Sequence, residues 1–267
     1  MSMKKLKVFG LDGMSYFEIK KNFDVLPNWK KIEERYPLTL LWADVEDRKR
    51  PWKYDSAMLW TTIFTGKRPE DHQVWGYKEG IDGRPLKRED VKARFIWEYE
   101  GAKFLVWHVP AVLPPLHYRC EGVVPTDRTV PDLDEWCSYV GKLLQSGIEY
   151  DVFIAVYTGS DDFQHHHWGK DDFFDFYDRV ARCLLRHLRE EDDVLIISDH
   201  GFTDIDTAVS HMWTWRYSKT VNLDIGHHAP WGICATNLRW RPFKVSEVCE
   251  AIVRNLILKG APIRYAF

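Results

Sequence analysis

The chain lacks closely spaced cysteines: its five fall at 120, 137, 183, 234 and 249. An odd number this far apart, with no C-x-x-C, indicates neither a disulfide framework nor a thiolate zinc site. It points to a reducing, cytoplasmic setting. Long apolar runs are missing as well. The longest, 104–109 and 152–157, fall far short of the roughly 20 residues a helix needs to cross a bilayer, so no membrane span is expected. The start, Met1 to Asp12, is broken by Gly10 and stopped by Asp12; it is a first strand rather than a signal peptide. Neither sign of charge prevails: 37 Lys plus Arg stand against 40 Asp plus Glu, a net charge of −3. Without a basic field no nucleic-acid polymer is an expected partner. Internal repeats and low-complexity tracts are also missing.

Apolar residues make up 45% of the chain, charged residues 29% and aromatics 15%, with 13 Trp. That composition belongs to a soluble globular protein with enough apolar surface to offset chain entropy. The aromatics suit a dense core or ring-stacking pockets alike.

Short apolar runs alternate with helical patterns. Strands are expected at 6–11, 38–43, 103–109, 151–157, 193–198 and 231–236, and helices at 28–35, 132–145, 173–189 and 245–258. The alternation predicts an α/β fold, a doubly wound, mainly parallel sheet with helices on both faces. Nothing splits the chain, so residues 1–267 are expected to form one domain, with cap-like insertions near 76–91 and 204–225.

Acids and histidines gather where strands end, the edge at which open α/β sheets bind ligands. Asp12-Gly13 follows the first strand, and Asp199-His200-Gly201 follows the strand at 193–198. Asp161 and His165, four apart, share a helical face and could chelate one cation; Asp162 and His166 have the same spacing. Asp161 could equally cap a polar helix. His227-His228 precedes the last strand and could offer an imidazole or merely a surface pair. Ser56 opens a helix that Gly66 closes. A serine there is either an N-cap or a nucleophile beside N–H groups that accept an anion.

Taken in order, these pieces resemble a known pattern. Asp12-Gly13 leads to Ser56, then Thr65-Gly-x-x-Pro-x-x-His72, Asp161-x-x-Gln-His165-x-x-Trp168, Asp199-His200-Gly201 and His228-x-Pro-x-Gly232. The series resembles the alkaline phosphatase superfamily, most closely its type I phosphodiesterase/nucleotide pyrophosphatase branch, over about residues 6–236. The resemblance implies a phosphoric ester hydrolase with two divalent cations acting on a small phosphorylated substrate. It implies that Asp161, His165 and His228 hold one metal. Asp12, Asp199 and His200 would hold the other, which also touches the nucleophile Ser56. Mixed oxygen and nitrogen ligands without thiolate suit Zn²⁺, with Mn²⁺ or Fe²⁺ as alternatives. A phosphomutase or phosphonate hydrolase on the same site, or a metal-binding interaction protein without catalysis, are the competing readings.

The triplet Asp55-Ser56-Ala57 is similar to that of the phosphatases. Two positions depart from the pattern: Gln73 stands where the family usually has Gly, and Tyr77, 21 residues after Ser56, where the diesterase branch has a phosphate-binding Asn. A phenol donates one hydrogen bond, an amide two. His72 is expected to anchor the loop after the nucleophile helix rather than to bind metal.

Overall fold

The structure, a computed structural model, describes residues 4–45, 54–77, 84–120, 132–204 and 226–263. The mostly apolar segments form fully buried strands, as a sheet covered on both faces requires: β1 (Leu6–Leu11), β3 (Phe104–Val109) and β5 (Val152–Tyr157). With β2 (Leu38–Trp42), β4 (Leu116–Tyr118), β6 (Asp193–Ile197) and β9 (Trp231–Thr236) they make a seven-stranded sheet in the order β2-β9-β6-β1-β5-β3-β4. The centre, β6-β1-β5-β3, is parallel, and antiparallel β9, β2 and β4 extend its two edges. This is the expected doubly wound α/β architecture. The expected strands start or stop within one residue of the observed ones. The edge strand β4 and a small hairpin, β7 (Gly201–Thr203) against β8 (His227–Ala229), are additions.

Helices α1 (Tyr16–Lys21), α2 (Pro27–Arg35), α5 (Leu133–Gln145) and α7 (Phe173–Leu185) precede or follow the strands they cover. So do α3 (Ser56–Thr65), α4 (Pro69–His72), α6 (Gly159–His167) and α8 (Val248–Leu258). The sheet separates two cores. Leu6 and Val8 pack with Trp60, Ile63 and Phe64 of α3 and with Ile252 and Val253 of α8. Phe9 and Leu11, which point the other way, pack with Trp29 of α2, Trp136 of α5 and Tyr177 of α7.

One expectation from the cysteines is corrected. Cys137 on α5 and Cys183 on α7 form a disulfide, with Cα atoms 5.9 Å apart, while Cys120, Cys234 and Cys249 are free and buried. A separation of 46 residues leaves no local trace in sequence; only the packing of α5 on α7 brings the sulfurs together. The cysteines therefore no longer argue for a reducing setting. Among the described residues no helix is long and apolar enough to cross a membrane. Of the two expected caps, 205–225 lies outside the described residues. Of the first, 84–91 folds back so that Leu86 N–H donates to Tyr77 O at 3.0 Å.

Register is what builds the functional edge. Gly10 lies level with Val156 of β5 and Ile197 of β6, so the residues that follow these three strands leave the sheet side by side.

Candidate active site

Asp12 ends β1, and Gly13 turns the chain at φ 75°, a left-handed conformation that glycine adopts without penalty. A Cβ at Gly13 would also lie 2.7 Å from the Phe202 ring. The turn lets Gly13 N–H donate to Asp199 Oδ1 at 3.3 Å. Asp199 and His200 are wholly buried, and Asp12 is 2% exposed.

The helix that follows Asp55 brings Ser56 to these groups. Asp55, not Ser56, is the N-cap of α3: its carboxylate accepts from Ala57 N–H at 3.1 Å. Ser56 is thus relieved of capping. Its Oγ lies 3.1 Å from Asp12 Oδ1 and 3.4 Å from His200 Nε2. The N–H groups of the first turn precede the first helical bond, Leu59 N to Asp55 O at 3.0 Å, and make the helix N-terminus a favourable place for an anion.

Asp161 and His165 occupy one face of α6, whose N-cap is Thr158, so Asp161 lies within the helix rather than at its cap. His165 Nε2 is 3.5 Å from Asp161 Oδ2, and His228 Nε2 is 3.1 Å from Asp161 Oδ1. The competing pair, Asp162 and His166, faces outward with side chains 65% and 70% exposed. His228 owes its place to the β7–β8 hairpin, which pairs it with Phe202 and stacks its ring on His200 at 4.0 Å. The neighbouring His227 makes no such approach. His165 Nε2 and His228 Nε2 are 3.0 Å apart. His200 Nε2 sits between the two groups, 3.3 Å from Asp12 Oδ1 and 3.7 Å from Asp161 Oδ1.

Two histidines are fixed as ligands are. His200 Nδ1 faces Gly201 O at 3.0 Å and His228 Nδ1 faces Tyr54 O at 2.6 Å. A carbonyl only accepts, so each Nδ1 carries a proton and each Nε2 is the nitrogen turned toward the carboxylates. The electrostatics show how closely acids and imidazoles are packed. Burial pushes the Asp199 carboxyl well up, and the nearby Asp12 and Asp161 carboxylates add to it. Burial would also raise Asp161, but His228, His200 and His165 hold it well below the usual carboxylate range. Burial lowers His228, yet Asp161 outweighs it and lifts the imidazole to about 9. His165, drawn down chiefly by burial, falls to about 4.

Among the described residues no lysine or arginine pairs with Asp12, Asp161 or Asp199. Buried Asp199 Oδ2 accepts no hydrogen bond, and Asp161 Oδ1 faces the Nε2 atoms of His228 and His200 at 3.1 and 3.7 Å. Asp12, Asp199 and His200 bring ligand atoms within 4.8 Å of one another, as do Asp161, His200 and His228. Crowded carboxylates, an orphaned buried oxygen and inward-facing imidazole nitrogens fit divalent cations. Tyr77, half-buried, faces the same carboxylates. Burial, then Asp12, Asp55, Asp199 and Asp161, push its phenol well above the usual range, so it stays a donor.

Sequence reasoning overlooked the residues that hold this frame. Ser160 Oγ donates to Asp12 O at 2.7 Å, and Gln164 Nε2 to Gly13 O at 2.9 Å. Tyr177 OH in turn bonds Gln164 Oε1. Their signal was available: 160 and 164 repeat the spacing of 161 and 165 on the adjoining face of α6. His72 behaves as a loop anchor. It is buried, receives Val74 N–H on Nδ1 at 3.1 Å and meets Thr62 Oγ1 at 3.1 Å.

Comparison with known proteins gives the family and the fold. Residues 8–257 match the family described as type I phosphodiesterase / nucleotide pyrophosphatase. No curated protein matches the sequence. The fold is similar to that of murine ectonucleotide pyrophosphatase / phosphodiesterase 5, with TM-score 0.67, 12% identity, and 99% of this chain and 97% of that one covered. The human counterpart gives TM-score 0.62, 13% identity, and 99% and 97% coverage. Phosphonoacetate hydrolase from Sinorhizobium meliloti gives TM-score 0.54 and 17% identity, over 76% of this chain and 57% of that one.

Proposed function

The chain belongs to the type I phosphodiesterase / nucleotide pyrophosphatase family of phosphoester hydrolases, and from that premise we propose a two-metal hydrolase that works through a phosphoester on Ser56. One observation carries the reading: a serine hydroxyl relieved of helix capping lies 3.1 Å from Asp12 and 3.4 Å from His200, at the edge of two metal-ligand groups. Asp12, Asp199 and His200 would hold one cation, in contact with Ser56, and Asp161, His165 and His228 the other. Zn²⁺ suits these donors, with Mn²⁺ or Fe²⁺ as alternatives, and such cations when bound neutralise phosphate charge and lower the pKa of oxygen nucleophiles.

The chain's own groups supply the rest. Ser56 Oγ forms a bond to phosphorus as the bond to the leaving alkoxide breaks, and the hydroxyl proton passes through solvent to that alkoxide. Water then attacks the phosphoserine, and Oγ leaves and regains a proton. First-turn N–H groups of α3 and the Tyr77 phenol would donate to the non-bridging oxygens. Tyr77 brings one donor where an amide brings two, which favours a substrate needing fewer contacts there.

The test uses p-nitrophenyl phosphate, bis-p-nitrophenyl phosphate and phosphonoacetate, each with Zn²⁺ or Mn²⁺. Turnover of an ester is expected in the native protein and is lost in Ser56→Ala, with a phosphoryl group trapped on Ser56 after acid quench. Undiminished turnover in Ser56→Ala overturns the mechanism. Turnover of phosphonoacetate alone shifts the substrate class, and transfer to an added alcohol rather than water marks a mutase. Two bound metals without turnover of any substrate mark a binding protein.

A further inference from the structure

Asp12 is held from two sides, and the mechanism above uses only one of them. Ser56 Oγ meets Oδ1 at 3.1 Å, whereas Trp60 Nε1 donates to Oδ2 at 3.2 Å. Ser56 and Trp60 are four apart on α3, so one helix face presents a hydroxyl and an indole N–H to the two oxygens of one carboxylate. Trp60 is completely buried, and its ring lies nearly parallel to that of Phe64, at 14° and 5.8 Å.

The strand explains how the indole reaches. Leu6 and Val8 face the core that contains α3. The two-residue period of β1 puts Gly10, and beyond it Asp12, on that same side. At Gly10 the indole takes up the space of the missing side chain: a Cβ there would lie 2.5 Å from Trp60 Cη2. Gly10 therefore makes room for the ring whose N–H meets the carboxylate two residues on.

We propose that Trp60 is a positioning residue: seated by Gly10, it fixes Asp12 by Oδ2 so that Oδ1 alone is turned toward Ser56 and the cation. The inference rests on the two-metal reading above. The two bonds to Asp12 have different fates in that cycle. The Ser56 bond is lost when the hydroxyl gives up its proton and Oγ bonds phosphorus. The Trp60 bond involves no reacting group, and so Asp12 keeps one orientation from free enzyme to phosphoserine and back. Without it the carboxylate is free to rotate and offer both oxygens.

The experiment compares native protein, Trp60→Phe, Gly10→Ala and Trp97→Phe. Trp97 is a buried indole stacked on Phe95 that makes no contact with Asp12 and controls for lost aromatic volume. Stepwise Zn²⁺ affinities of the metal-stripped proteins are read by competition with a chromophoric chelator, and circular dichroism reports folding. Outer partners of metal ligands typically contribute about 10–100-fold to affinity. Trp60→Phe and Gly10→Ala should each weaken one Zn²⁺ by about that factor and leave the other, while Trp97→Phe weakens neither. For bis-p-nitrophenyl phosphate, kcat should fall with KM unchanged. Folded Trp60→Phe that binds both ions as native protein does overturns the proposal. If Trp60→Phe fails to fold, 3-benzothienylalanine at position 60, with sulfur in place of N–H in the same shape, carries the same two outcomes. Native protein that binds no zinc instead sinks the two-metal reading, in the first arm and before any variant is compared.

Discussion

The two halves of the site carry similar ligands and are built differently. Asp12, Asp199 and His200 sit at strand ends, essentially closed to solvent. Asp161, His165 and His228 come from a helix and a hairpin, with side chains 22%, 38% and 24% exposed. In the closed half, burial beside two other carboxylates raises Asp199, a cost that a bound cation would relieve. In the open half the histidines already offset the charge on Asp161. The closed half is thus pre-organised and would depend on a bound cation, and the open half is partly self-compensated and reachable from solvent.

Several measurements can break or sharpen that contrast. The largest effect is expected from Asp199→Asn, a loss of kcat/KM on the order of 10³-fold that excess metal does not restore. His165→Asn should lose only about 10–100-fold and recover as Zn²⁺ is raised, because its half exchanges with solvent. Equal losses, or equal rescue, would erase the difference between the halves. Metal removal comes next. Metal at 100 times its Kd adds about 2.7 kcal/mol to folding. A protein of this size gains about 2–4 °C per kcal/mol, so chelation should lower Tm by about 5–10 °C in calorimetry. Asp199→Asn, with one carboxylate fewer to crowd its neighbours, should narrow that drop.

His72 offers a smaller effect outside the site. Burial with no partner charge lowers it from 6.5 to about 3. Between those values the unfolded chain binds the proton and the folded one does not, so stability is full above pH 6.5 and falls as the pH drops. From pH 6.5 to about pH 5 the loss in metal-free protein should be about 1–2 kcal/mol, read from urea unfolding. His72→Gln should flatten that slope. An unchanged slope would assign it to other groups. The smallest effect is expected at Gln73, which holds φ 61° where glycine is unstrained. Gln73→Gly should raise stability by about 0.5–1 kcal/mol with kcat unchanged.

Much of the fold could be read in advance because its rules are local. Buried strands show as short, mostly apolar runs, and 6–11 and 231–236 are observed at the expected bounds. The cluster of acids and imidazoles was legible from order and spacing, and the register of β1, β5 and β6 shows why strand-end acids converge. The i,i+4 rule named both Asp161–His165 and Asp162–His166 but could not say which pair turns inward. The Cys137–Cys183 link, the β7–β8 hairpin and the partners of Asp12 left no local pattern at all.

From the order of residues alone came the alternating architecture, the cluster of acids and imidazoles at one sheet edge, and the family pattern, since each depends on neighbours a few positions apart. Folding in three dimensions chose Asp55 rather than Ser56 as the cap, His228 rather than His227 as the imidazole beside Asp161, and Trp60 as the partner of Asp12. The Asp55 cap is a local bond, but the contacts of Trp60 with Asp12 and of His228 with Tyr54 span 48 and 174 positions, and their energies exist only once the sheet has aligned its strands.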